Sequence, residues 1–140
     1  MYLLDTNVIS EIRKINTGRA DAGVETWAKQ YSKALMYISA ITLFELERGT
    51  LNLEKQDAQQ GAVYRRWLEN VVKLQFNGKI LAIEAETALL CVAMHVPDKK
   101  GLADSLIAAT AIQHGLIVVT RNTKDFAHTG AQLLNPFKEQ

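Results

Sequence analysis

Apolar residues in this chain fall into short runs and helical stripes that alternate from one end to the other. Tyr2-Leu3-Leu4 is a compact apolar run stopped by Asp5-Thr6-Asn7, residues that favour turns and helix starts, so a buried strand is expected to end at Asp5. Val8 to Arg13 then turns helical. Gly18 and Gly23 frame a polar crossing into Val24 to Ser32, where Val24, Trp27, Ala28 and Tyr31 recur at helical spacing. Leu35 to Ile38 reads as a second strand, and Ser39 or Thr42 can cap a helix running through Leu43, Leu46 and Leu53. From Gln59 to Phe76, Val63, Trp67, Val71 and Leu74 share one stripe, so these two helices are expected to form an antiparallel arm.

The alternation continues. Asn77-Gly78 is a turn signal, Lys79 to Ile83 a third short strand, and Glu84 to His95 a helix with apolar residues nearly all round. After the loop Pro97-Asp98-Lys99-Lys100-Gly101, Ala103 to His114 is a small-residue helix closed by Gly115, and Leu116 to Thr120 is the cleanest strand. Ala131 to Pro136 offers an edge strand. Parallel neighbours need crossover connections, so this order predicts an α/β fold of three layers, α/β/α, with a mostly parallel central sheet.

Length and composition narrow the function classes. At 140 residues, one domain spanning 1–140 is expected. A content of 48% hydrophobic and 22% charged residues excludes disorder. Sixteen Lys and Arg against 15 Asp and Glu leave a net charge of +1, so a polyanion must be held by a local basic patch rather than by the whole molecule. Cys91 is the only cysteine, which rules out an intramolecular disulfide and any zinc site with two thiolates. It reads as core, beside Leu90 and Met94. His95, His114 and His128 lack ligand spacing. No leader pattern and no apolar run near the roughly 18 residues a bilayer requires are visible, so a cytoplasmic protein without membrane contact is expected.

In an open parallel sheet the ligand crevice lies beyond the carboxyl ends of the strands. Asp5 follows the first strand, Glu45 the second, Asp104 opens the helix after the 97–101 loop, and Asn122 and Asp125 follow the strand at Leu116 to Thr120. Each also has a local structural role open to it: a cap for Asp5, a Thr42-to-Glu45 capping box, a dipole partner for Asp104, and a turn for Asn122 and Asp125. Leu102, Ala103, Leu106 and Ile107 predict burial around Asp104. Together, however, converging carboxylates would repel and raise one another's pKa unless protons or a cation compensate. Oxygen ligands without clustered Cys or His favour Mg²⁺ or Mn²⁺ over Zn²⁺. Such a site suits phosphodiester hydrolysis by a metal-activated water. Arg13, Lys14, Arg48, Lys99, Lys100, Arg121 and Lys124 are candidates to hold the substrate backbone.

Four ordered segments carry a resemblance. Leu3-Leu4-Asp5-Thr6-Asn7-Val8-Ile9-Ser10-Glu11, Ser39-Ala40-Ile41-Thr42 leading to Glu45-Leu46 and Gly49, Leu102-Ala103-Asp104 with Ile107 to Ala111, and Val119-Thr120-Arg121-Asn122 with Asp125-Phe126 resemble the PIN-domain nucleases, more narrowly their VapC and FitB toxin branch. The resemblance implies a Mg²⁺- or Mn²⁺-dependent endoribonuclease, a toxin usually dimeric and inhibited by an antitoxin encoded in a neighbouring gene. That antitoxin inserts a segment into the active-site groove, supplies the DNA-binding part, and can assemble with the toxin into a larger complex. Asp5, Glu45 and Asp104 match the family's acidic metal-binding set, with Thr6 or Asn7 and Thr120 in supporting positions. Many relatives have Asp where this chain has Asn122, so the fourth acid is absent, replaced by an amide, or supplied by Asp125.

Other classes remain open on the sequence. A PIN-like binding module without chemistry would engage a protein or RNA partner. An aspartyl-phosphate enzyme wants a second acid two positions after the first, where Asn7 stands. A receiver domain gives no reason for Glu45. The arm from Ile41 to Phe76, with Phe44, Tyr64, Trp67 and Leu74, is a candidate antitoxin groove, although Trp67 also suits an intramolecular core.

Overall fold

The computed structural model describes residues 1–138. Five strands run β1 (Tyr2–Leu4), β2 (Met36–Ser39), β3 (Ile80–Leu81), β4 (Ile117–Val119) and β5 (Leu133–Leu134). They form one sheet in the order β3-β2-β1-β4-β5, and every pairing is parallel. The central strand pairs Leu3 with Tyr37 on one side and with Val118 on the other. Helices α1 (Thr6–Ile12), α2 (Ala22–Gln30), α3 (Ala40–Gln56), α4 (Ala58–Trp67), α5 (Lys73–Gln75), α6 (Ala85–Ala93), α7 (Leu102–His114) and α8 (Thr123–Phe126) make the crossovers.

Both sheet faces are covered, which is why the strands are uninterrupted apolar runs rather than alternating ones. Neighbouring residues serve opposite cores. Leu4 and Val119 pack with Val8, Val24, Trp27 and Phe76. Leu3 and Val118 pack with Ile107, Ala108, Ala111 and Phe126. The small residues of α7 let that helix lie close to the sheet.

The arm forms as expected. Asp57 ends α3 and caps α4 through bonds from the N–H groups of Gln59 and Gln60, so the hairpin reverses at one residue. Arg65 of α4 bridges to Glu47 and Glu54 of α3 at 2.7 and 3.0 Å. Trp67 is half-buried against the main core. Where one continuous helix to Phe76 was expected, a π-helical stretch at Leu68–Val72 separates α4 from α5. It buries Leu68 and Val72 and leaves Val71 exposed.

Several local expectations change. Helix α1 begins at Thr6 because the Asp5 carboxylate accepts its N–H. Ser39, not Thr42, caps α3 through Ile41 N–H. Glu45 is therefore the sixth helical residue, too far along for a capping box. Leu102, one of the residues expected to bury Asp104, is itself 63% exposed, and Asp104 is half-buried. Gly78 and Gly115 adopt the left-handed conformation their turn and helix-end positions require. Among the described residues, no helix is long and apolar enough to cross a membrane.

Candidate active site

The carboxyl ends of β1, β2 and β4 adjoin, and the polar groups that follow them are linked across long stretches of chain. Asp5 is buried, with 5% of its surface exposed. Its Oδ1 accepts the N–H of Thr6 at 2.8 Å, and its Oδ2 accepts the Thr120 hydroxyl at 2.8 Å and the Asn7 amide at 3.3 Å. Asn7 reaches Thr120 as well, and its Oδ1 accepts Arg121 N–H at 3.2 Å. The Thr6 hydroxyl donates to Glu45 Oε1 at 2.6 Å, tying α1 to α3.

Among the described residues, every hydrogen-bond partner of these carboxylates is neutral. Among the described residues none of Asp5, Glu45, Asp104 or Asp125 forms a salt bridge, although five other acids do. Burial pushes the Asp5 pKa up, the bonds from Thr120 and Thr6 oppose it, and the Glu45 charge adds to the rise. Asp104, half-buried in the first turn of α7, is raised to about 6, first by burial and then by the charges of Asp5, Asp125 and Glu45. Four acids from four parts of the chain thus share one electrostatic neighbourhood.

They do not form a closed cage. Among the described residues no three His, Cys, Asp or Glu side chains lie close enough together to hold a metal ion. Like charges without a counter-ion separate, and Glu45 rests instead on the Thr6 hydroxyl. The donor chemistry nonetheless fits a hard divalent cation: oxygen ligands only, uncompensated negative charge, and neutral groups orienting the carboxylates.

The remaining candidates divide. Asn122 precedes α8 without a side-chain cap, and its N–H donates to the Thr120 hydroxyl. With Arg121, Thr123, Lys124, Asp125 and Asn135 it lines a cavity of about 450 Å³ beside the acids. Lys99 and Lys100 lie in the loop before α7, where the Lys100 N–H donates to His95. Arg48 stacks on Phe44 of its own helix. Arg13 is engaged by the arm, with a 2.8 Å bond to the Tyr64 hydroxyl and its guanidinium over the Tyr64 ring. Lys14 pairs with Glu11. Cys91 is buried, with its thiol pKa pushed up by burial. Asn135 is the lining residue that sequence reading passed over, since Ala131 to Pro136 signalled only an edge strand.

The fold and its acidic edge define a PIN-domain protein. The sequence model of the PIN domain matches residues 2–132, and the chain belongs to that family. Its relatives include proteins of the VapC and FitB kind. The chain is 33% identical over 143 residues to "VapC ribonuclease Y4jK" of Sinorhizobium fredii, covering 99% of both chains. It is 32% identical over 144 residues to "Toxin FitB" of Neisseria gonorrhoeae, covering 99% of this chain and 100% of that one. The crystal structure of FitAcB from the same organism superposes with a TM-score of 0.87 at 33% identity, over 97% of this chain and 98% of that chain. A toxin-antitoxin complex from Klebsiella pneumoniae superposes at 0.66 with 29% identity, over 98% of each chain.

Proposed function

We propose that this chain is the toxin of a toxin-antitoxin pair and an endoribonuclease that hydrolyses RNA with Mg²⁺ or Mn²⁺. The observation that carries the reading is the meeting of Asp5, Glu45, Asp104 and Asp125 at one sheet edge, where among the described residues none of them forms a salt bridge. The likeness to a named ribonuclease over nearly the whole chain supports the reaction class.

Asp5, Glu45 and Asp104 are the proposed metal ligands, with Asn122 or Asp125 completing the set. Bound there, a divalent ion would supply hydroxide from water and offset charge on the phosphate. The chain's own part is orientation. Thr120, Asn7 and Thr6 hold Asp5 through hydrogen bonds that leave its charge intact, and the Thr6 hydroxyl fixes Glu45. Lys124 and Arg121, whose guanidinium also lies over the Phe137 ring, are proposed to receive the RNA backbone, with Lys99, Lys100 and Arg48 as further candidates. Arg13 serves the arm instead.

The antitoxin is proposed to occupy the arm face. A cavity of about 300 Å³ there is lined by Ile9, Ile12, Arg13, Trp67, Val71 and Phe76 among others. Exposed Leu89, Val92, Leu102 and Ile112 on α6 and α7 support a homodimer. DNA contact is assigned to the antitoxin alone, and the site of action to the cytoplasm.

The test is incubation of the purified chain with a mixed RNA pool. Cleavage that requires Mn²⁺ or Mg²⁺ and stops with EDTA is expected. Cleavage indifferent to EDTA would overturn the assignment, and no cleavage with either ion would favour a PIN-like binding module.

A further inference from the structure

The cavity beside the acids is lined in part by Asn135, a residue that metal binding does not explain. Asn135, from the segment after β5, faces Arg121, Asn122, Thr123, Lys124 and Asp125, from the segment after β4, across about 450 Å³. That volume lies in the range of small-ligand sites and suits one nucleotide unit. The lining is polar and of mixed character, with two amides, a hydroxyl, two cations and a carboxylate.

Its two amides are available in different ways. Asn135 Oδ1 accepts the Phe137 N–H at 2.9 Å, which fixes the side chain, while its two amide hydrogens have no partner among the described residues. The Asn122 side chain makes no capping bond and has no side-chain partner among the described residues. Amides read base edges because each offers a donor and an acceptor together. Lys124 adds a charge for an adjacent phosphate. The Asp125 carboxylate, which contributes to the raised Asp104 pKa, ties this cavity to the acidic edge. A lining built only for backbone contact would need cations, not an amide fixed by its own backbone with its donors left over.

We propose that this cavity is a base-reading subsite, in which Asn135 recognises the edge of one unstacked RNA base next to the bond being cut. It rests on the nuclease reading and goes beyond it by assigning a specificity-determining residue, Asn135. Single-stranded RNA is the fitting partner, because its bases splay out and expose their edges. A donor pair on one base edge supports a preference of about tenfold at a single position.

The experiment uses one random RNA pool read in two ways: cleaved ends with Mn²⁺, and the sequences retained by the protein with Ca²⁺ in place of Mn²⁺. The wild type is compared with Asn135→Ala and Asn135→Asp, the second of which keeps the acceptor for Phe137 N–H and removes the amide donors. The expected result is a preference at one position flanking the cut that both variants flatten by about tenfold, while cleavage continues. Identical preferences in all three proteins would overturn the subsite and leave the nuclease reading standing. An Asn135-dependent preference in the retained RNA without any cleavage would support the subsite and remove the nuclease reading.

Discussion

Thr120 donates its hydroxyl to Oδ2 of Asp5 at 2.8 Å across 115 residues of chain, and the same hydroxyl oxygen accepts the backbone N–H of Asn122 at 3.0 Å. One buried side chain thus joins the end of β1 to the turn that starts α8. It does so without adding charge. Thr120→Val removes that link and leaves a buried carboxylate oxygen and an N–H one partner short. A loss of about 1–3 kcal/mol in stability is expected by urea unfolding, with cleavage reduced roughly 10- to 100-fold. Thr120→Ser should restore most of both.

Asp5→Asn keeps the shape of the residue and an acceptor for Thr6 N–H while removing its negative charge. Cleavage should fall by more than the roughly 100-fold that loss of an outer partner of a metal ligand can cause. The circular dichroism spectrum should stay that of the folded wild type. Full activity in this variant would remove Asp5 from the ligand set.

The raised Asp104 gives metal-free stability a definite pH slope. Its pKa rises from 3.8 to about 6 on folding, so between these values the folded chain holds more protons than the unfolded chain. Stability is therefore greatest below about 4 from this group and is lost as pH rises through about 6. Asp5 shifts in the same direction. Melting curves without metal should show this decline, and Asp104→Asn should flatten it. Because the lowered Glu47 and Glu69 tilt stability the other way at the acid end, the comparison with Asp104→Asn decides, and identical slopes in the two proteins would contradict the crowded-acid site.

Two helical glycines should respond oppositely to alanine. A Cβ on Gly61 would lie 2.5 Å from Glu54 Cα, so the arm closes only because α4 has no side chain there. Gly61→Ala should cost about 1–3 kcal/mol despite the gain in helix propensity. At Gly49 nothing lies within 4 Å of such a Cβ, and Gly49→Ala should gain roughly 0.5–1 kcal/mol. Thermal unfolding of the two variants separates these outcomes.

Particular residues show how far the chain could be read in advance. The apolar run Tyr2-Leu3-Leu4 and the strand at Leu116 to Thr120 were legible because buried parallel strands are nearly all apolar, and Gly115 marked the end of α7 by its left-handed backbone. Asp5, Glu45 and Asp104 were legible as candidates because topology places strand ends at one edge. Their partners were not. Glu45 rests on Thr6, 39 residues away, so a local Thr42 capping pattern misled. The π-helical stretch at Leu68–Val72 left no mark because Trp67 and Val71 continue the ordinary helical stripe into it. Asn135 escaped notice because the cavity it lines exists only once β5 pairs with β4.

The crowding of Asp104 with Asp5, Glu45 and Asp125 is most directly tested by melting the wild type and Asp104→Asn with and without Mn²⁺ at pH 7. A ligand that binds only the folded state raises the melting temperature in proportion to its affinity. Mn²⁺ should stabilise the wild type and leave Asp104→Asn nearly unmoved, while the metal-free variant melts above the metal-free wild type. Equal shifts in both proteins, or none in the wild type, would contradict a cation site at this edge.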